Sequence, residues 1–313
     1  MKILVVGAGA TGGYFGGRLL EAGRDVTFLV RPRRAKQLAE SGLVIESPRG
    51  NYRHPNPPTV TADALAPSYD LVLLSCKAYD LDEAVRAFAP AVGPRTAVLP
   101  LLNGLRHLDV LDARFGPEAV LGGQCVISAA LDPAGRIAHL NDVHALSFGE
   151  RDGSSSARGE SLAAACAGVR FDARLTRAIV QEMWEKWVFI ATLAGITCLM
   201  RATVGDVVAG GGAELATTLL DECASVAEAA GHPLRPGVRE RSAVLLTTPA
   251  SPFAASMLRD IERGGATEGE HVLGDLLRRA SAPCPLLRIA AAHVAAYEAR
   301  RRREPPATRA AAP

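Results

Sequence analysis

The sequence predicts an α/β protein: a doubly wound parallel sheet in the N-terminal half, followed by an all-helical C-terminal domain. Three observations predict it. The chain opens on a short aliphatic run, Ile3–Val6, of the kind buried in parallel sheets, and runs straight into a glycine cluster. Apolar strand-like runs then alternate with helical patterns through the first half. From Arg174 onward only long helical periodicities remain. At 313 residues the chain also exceeds the size at which one core usually keeps growing, which favours two domains.

The first element carries the most information. Gly7, Gly9 and Gly12 fall at G-x-G-x-x-G spacing, with the strand before them and a helical pattern, Tyr14–Ala22, after them. The first glycine permits the tight turn and the second lets backbone approach a pyrophosphate. The third allows close helix–strand packing, and unpaired amides at the helix start attract negative charge. With a second strand at Asp25–Val30, this reads as a Rossmann-type dinucleotide site. That second strand ends in Arg31-Pro32-Arg33-Arg34, without the carboxylate that accepts the ribose hydroxyls of NAD. A guanidinium suits a 2′-phosphate, so Arg31 points to NADP(H), with Arg33 and Arg34 as helpers. A solvated basic loop opening the helix Ala35–Glu40 is the alternative.

The later elements follow in order. Tyr69–Cys76 reads as a buried strand, Leu81–Phe88 as the helix after it, and Thr96–Leu102 as the next strand, ending at Asn103-Gly104. Val120–Gly123, Gln124–Ala130, Arg136–Leu140 and His144–Gly149 look like further strand, with a hairpin turn at Asp132–Gly135. Arg151–Gly159 reads as an exposed turn before a helix, Glu160–Ala167. The clearest later helices are Ala178–Leu193, Gly212–Ala230, Arg235–Leu246, Ser251–Arg263, Thr267–Ala280 and Leu286–Glu304, with Gly231 as a C-cap. The reading is a dinucleotide-binding domain over 1–173, a helical substrate and catalytic domain over 174–304 and a disordered tail over 305–313. Arg300–Arg303 is read as a solvated helix end.

Composition excludes several classes. A net charge of +2 gives no argument for nucleic acid or a membrane surface, and no apolar run suggests a membrane span. The first residues already belong to the predicted fold, so no targeting peptide is expected and the setting reads as cytoplasmic. Six scattered cysteines, without a C-x-x-C pair, read as reduced thiols, and no metal is implied. The Ala-rich helical half is compatible with a homodimer.

Candidate chemistry lies where strands end and where a polar residue interrupts an apolar helix. Lys77 and Asn103 each follow a strand, the place where open α/β sheets hold ligands. Each also has a plain structural reading, as a solvated lysine and as a turn residue before Gly104. Lys186, in Trp184-Glu185-Lys186-Trp187, sits in a strongly apolar helix. It reads either as a snorkelling lysine paired with Glu182 or as a proton donor facing a cleft between the domains. Glu268 opens a helix and fits a capping box, Thr267-Glu268-Gly269-Glu270; Ser256 fits a helix surface.

Taken together, these residues resemble the ketopantoate reductase (2-dehydropantoate 2-reductase) family over nearly the whole chain. The resemblance rests on Gly7-Ala8-Gly9-Ala10-Thr11-Gly12 with Arg31, on Cys76-Lys77-Ala78-Tyr79-Asp80, and on Leu101-Leu102-Asn103-Gly104. It continues in Trp184-Glu185-Lys186 and in Ser256-Met257-Leu258-Arg259-Asp260-Ile261 followed by Thr267-Glu268. It implies an NADPH-dependent reduction of ketopantoate to pantoate, in pantothenate and coenzyme A biosynthesis. Lys186 is then the general acid at the keto oxygen, and Glu268 hydrogen-bonds the substrate and organises that lysine. Ser256 helps hold the substrate carboxylate, with Asn103 shared between substrate and cofactor. Gly7 to Gly12, Arg31, Lys77 and Asn103 line the cofactor. The partner is a small 2-keto acid.

One departure stands out. Well-known members carry asparagines four and eight residues after the lysine, where this chain has Ile190 and Ala194. Helical spacing puts Lys186, Ile190 and Ala194 on one stripe. A more apolar 2-keto acid, or an imine, is therefore an alternative substrate. A non-catalytic NADP-binding sensor or partner protein is an alternative of another class. His271, three residues after Glu268, is either a replacement polar contact or a helix-surface histidine.

Overall fold

The computed structural model describes residues 1–304; the tail expected over 305–313 lies outside them. Two compact units emerge. The first holds residues up to Leu102 and His107–Val180, and the second holds Asn103–Arg106 and the chain from Gln181 onward. The division expected at 173/174 therefore falls at 180/181, and the turn at Asn103 belongs with the helical unit.

The first unit contains the expected parallel sheet. It comprises β1 (Lys2–Val6), β2 (Asp25–Leu29), β5 (Thr59–Val60), β6 (Leu71–Leu74) and β7 (Ala97–Pro100), in the order β5-β2-β1-β6-β7. Ile3, Leu4, Val72, Val98 and Leu99 are each fully buried, as a sheet covered on both faces requires. The order reverses beside β1, and the ends of β1 and β6 flank this switch point. The Ser75 hydroxyl donates to the Val6 carbonyl at 3.0 Å and holds those two strand ends together.

A second sheet forms a separate layer. It joins β3 (Leu43–Glu46), β4 (Tyr52–His54), β8 (Gly122–Leu131), β9 (Ile137–Gly149) and β10 (Asp172–Leu175). The strand-like runs after residue 120 thus do not extend the first sheet, and the two runs at 136–140 and 144–149 are one strand, β9. Its antiparallel pairing with β8 is broken by a bulge between Ile127 and Ala129. β3 pairs with the start of β9 and β10 with its end.

Helix α1 (Ala10–Glu21) lies between the two sheets, and its composition explains how. A Cβ on Gly16 would meet the Phe28 ring of β2 at 2.6 Å, and one on Gly17 would meet Ile45 of β3 at 2.7 Å. Glycines cost helix stability, about 1 kcal/mol each, but here they let one helix serve as the filling of both layers. Arg18 on this helix is fully buried, donating to Glu21 at 2.7 Å and to the Gly50 carbonyl. Helices α2 (Pro32–Ser41), α3 (Leu81–Phe88), α4 (Arg106–Phe115) and α5 (Ala157–Cys166) complete the wound architecture.

The second unit is helical: α6 (Ile179–Met200), α7 (Val204–Ala209), α8 (Ala213–Ala229), α9 (Val238–Leu246), α10 (Ser256–Glu262), α11 (Asp275–Arg278) and α12 (Pro285–Arg303). Contrary to the reading that no apolar run approaches a membrane span, α6 is long and apolar enough by length and composition. It is nonetheless the core helix of its unit, with Trp187, Val188 and Ala191 at 1% exposure or less. The helix expected at Thr267–Ala280 is instead a π-helical turn, Glu270–Gly274, running into the short α11. The capping box does not form: the Thr267 hydroxyl accepts from the Gly269 amide, and Glu270 pairs with Arg278.

Candidate active site

The glycine motif of the first unit takes the shape its spacing predicts. Gly7 has φ +93°, a left-handed conformation that turns the chain out of β1. A Cβ on Gly12 would lie 2.0 Å from Ser75 Oγ and 2.2 Å from the Gly7 carbonyl oxygen, so only glycine fits there. Gly9 differs: a Cβ there would meet nothing within 4 Å. It is the N-cap of α1, with no side chain capping it. The amides of the first turn, from Ala10 and Thr11 onward, have no intrahelical acceptor and face the end of the helix dipole. Ala8 is buried beneath the turn. Open space over a helix start, bounded by a turn without side chains, fits a pyrophosphate.

The basic tip of β2 is less simple than its sequence. Arg34 donates to the Ala8 carbonyl at 3.0 Å, to the Gly135 carbonyl at 3.1 Å and to Gln37 at 2.6 Å. It braces the glycine turn. Arg31 is exposed and stands at the N-cap position of α2 without a side-chain capping bond, its guanidinium held by Glu83 at 2.7 Å and Asp80 at 3.1 Å. Nothing in the local sequence announces these partners, which lie about fifty residues downstream. Lys77, exposed, opens the short turn Ala78–Asp80 just past β6.

In the second unit, Asn103, the Glu268–His271 segment and the Lys186 helix come together. His271, 6% exposed, hydrogen-bonds the backbone of Asn103, and its ring covers Gly104, where a Cβ would meet it at 3.1 Å. Gly104 has φ +74°. His271 is thus not a surface histidine; it fixes the Asn103 turn. Burial pushes its pKa down, against the pull of Glu268 and Asp275. The His271 and Val272 amides both donate to the Glu268 carbonyl, at 3.0 and 2.9 Å, which ties the half-buried Glu268 to this same turn.

Lys186 is half-buried on α6, and its two neighbours are anchored in different directions. The Trp187 indole N–H donates to the Val272 carbonyl, inside the π turn, at 2.8 Å. Glu185 is buried and receives Arg235 side-on, with Nε at 2.8 Å and Nη2 at 2.6 Å, plus the Arg235 amide at 3.1 Å. Burial drives the Glu185 carboxyl up, but the bonds from Arg235 and Gln181 outweigh it and hold it below the ordinary glutamate range. With successive residues about 100° apart, clamps at 185 and 187 fix the direction in which 186 projects. Neither anchor was singled out from sequence, although a lysine flanked by a glutamate and two tryptophans is the signal that points to them.

The stripe beyond Lys186 is apolar as read: Ile190 is half-buried and Ala194 is 3% exposed. It ends at Thr197, whose hydroxyl accepts from the Ala255 amide at 3.4 Å. That contact sets the start of α10, where Ser256 is exposed. Ser256 is therefore anchored beside Thr197, on the same α6 stripe that Lys186 begins.

Comparison with known proteins decides the family. The model described as "Ketopantoate reductase PanE/ApbA" matches residues 3–153, and its C-terminal counterpart matches 178–298. The chain belongs to the ketopantoate reductase family. It is 40% identical over 303 residues to the "Uncharacterized oxidoreductase YkpB" of Bacillus subtilis, covering 96% of this chain and 99% of that one. It is 28% identical to the 2-dehydropantoate 2-reductase of Mesorhizobium japonicum, over 86% of this chain and 88% of that one. The crystal structure of 2-dehydropantoate 2-reductase from Methylococcus capsulatus superposes with a TM-score of 0.85 at 27% identity, covering 96% and 98% of the two chains. As a ketopantoate reductase family member, the protein is an oxidoreductase with a Rossmann-type first domain and a helical second domain.

Proposed function

We propose that the protein reduces ketopantoate to pantoate in the cytoplasm, with NADPH as reductant and Lys186 as general acid. The observation that carries this reading is the half-buried Lys186 held between two anchored neighbours, on a helix bonded to the segment bearing Glu268. When bound, the nicotinamide supplies the hydride that reduces the C2 carbonyl carbon. The open helix start at Gly9 and the amides of Ala10 and Thr11 would hold the pyrophosphate, with Arg31 and Lys77 at its edges. Lys186 gives a proton to the carbonyl oxygen as negative charge develops there, so no free alkoxide forms. Glu268 holds the substrate and keeps that ammonium oriented. Asn103 offers an amide that donates and accepts, and His271 keeps its turn in place. Ser256 is assigned to the substrate carboxylate.

Ile190 and Ala194 favour a second reading, in which the same chemistry acts on a more apolar 2-keto acid. A buried substrate hydroxyl beside that stripe goes unpaired, at a cost of about 1–3 kcal/mol. Initial rates with ketopantoate, pyruvate and 2-ketoisovalerate, followed by loss of NADPH absorbance, separate the two. The first reading predicts the highest kcat/KM for ketopantoate; a higher value for 2-ketoisovalerate selects the second. An absence of turnover with all three, despite NADPH binding, would overturn both.

A further inference from the structure

Arg31 is the leading residue of the 2′-phosphate reading, and its guanidinium is already engaged. Glu83 takes one edge of the fork side-on, with Nε at 3.1 Å and Nη2 at 2.7 Å. Asp80 lies 3.1 Å from the same Nη2. Both carboxylates come from the segment that follows β6, on the far side of the switch point. Of the neighbouring guanidinia, Arg34 is bound to the glycine turn, leaving Arg33 exposed. At the Arg31 fork itself one positive charge is flanked by two carboxylates, with Arg33 the neighbouring exposed cation.

The two nicotinamide dinucleotides meet that corner differently. A 2′-phosphate brings between one and two further negative charges and must compete for the edge of Arg31 that Glu83 occupies. A ribose 2′-hydroxyl is neutral and can donate to a carboxylate, the interaction that NAD sites build from an acid at the end of the second strand. Here that acid is absent from β2 but arrives from the β6 side. We infer that Glu83 and Asp80 set cofactor choice by competing with a 2′-phosphate for Arg31, so that this protein accepts NADH alongside NADPH. This rests on the reading of Gly7–Gly12 as a nicotinamide dinucleotide site.

The test is binding, measured on the full chain without substrate. Dissociation constants for NADPH and NADH are read from nucleotide fluorescence, and those for 2′,5′-ADP and 5′-AMP from calorimetry, in the wild type, Glu83→Gln and Asp80→Asn. In the wild type NADPH and NADH bind within about tenfold of each other. Glu83→Gln tightens NADPH and 2′,5′-ADP about fivefold, the scale of a lost exposed ion pair, and does not tighten NADH or 5′-AMP. Asp80→Asn moves the same pair of ligands in the same direction. Added salt shrinks the difference, as expected for exposed charges. A wild-type preference for NADPH beyond about a hundredfold that Glu83→Gln leaves in place overturns the inference, as does a parallel gain for NADH. A wild type that binds neither dinucleotide overturns the nicotinamide reading itself.

Discussion

The two candidate sites are built by opposite means. In the first unit the decisive features are backbone: a turn at Gly7, an open helix start at Gly9, and a glycine at position 12 where a side chain would strike a carbonyl. In the second unit they are side chains held at a distance from the chemistry, with Glu185 clamped by Arg235 and Trp187 by the Val272 carbonyl. Backbone sites tolerate little local change but are nearly self-contained. Clamped sites depend on partners far away in sequence and fail by misplacement more than by collapse.

The sharpest way to break this comparison is within the glycine turn. Gly12→Ala forces a Cβ against Ser75 and the Gly7 carbonyl, so it should cost about 3 kcal/mol or more, the upper range for overpacking where backbone must move. Thermal unfolding and NADPH titration should both show the loss. Gly9→Ala enters open space and should leave the melting temperature unchanged while weakening NADPH several-fold. If both variants behave alike, the turn is not a binding cradle.

Next comes Trp187→Phe, which keeps the ring but removes the donor to a buried carbonyl. It should destabilise by about 1–3 kcal/mol in urea unfolding. It should also lower kcat through Lys186 without altering cofactor affinity. Equal kcat in variant and wild type would mean that the π turn does not position the lysine helix.

The smallest effect is in pH dependence, where the two units behave alike. His144 of the first unit and His271 of the second are both pushed below 6.5, in each case first by burial. The unfolded chain therefore takes up protons before the folded one as pH falls. Stability is fully present above pH 6.5 and declines below it toward the folded-state values. Glu150 and Glu185, held low by Arg158 and Arg235, add a second decline only below 4.5. His271→Gln, whose amide also donates, should flatten part of the first slope in unfolding free energy measured against pH.

These contrasts explain what was legible in the sequence. The strand, glycine motif and first helix are contiguous, so spacing alone predicts the turn at Gly7 and the close packing at Gly12, and the long periodicities predict the helical half. The second sheet was hidden because β3 and β4 span only four and three residues and β10 is solvent-exposed. Their strand character comes from partners such as β9, not from their own pattern. The π turn was read as ordinary helix because its wider winding leaves no mark on composition. Arg31 was found from its position, but the carboxylates that hold it are 49 and 52 residues away. Lys186 stands out as a charge in an apolar helix, and Glu185 and Trp187 stand beside it; their partners, Arg235 and the Val272 carbonyl, lie far along the chain and reach them only through folding.

The most direct test of the proposed division of labour is the Lys186→Ala variant, with NADPH affinity and ketopantoate turnover measured on the same preparation. The proposed roles predict an unchanged dissociation constant for NADPH and a kcat lower by about 10²–10⁴, the range of a lost general acid. Wild-type turnover in the variant would contradict the assignment of Lys186, and loss of NADPH binding would contradict the separation of cofactor site from proton donor.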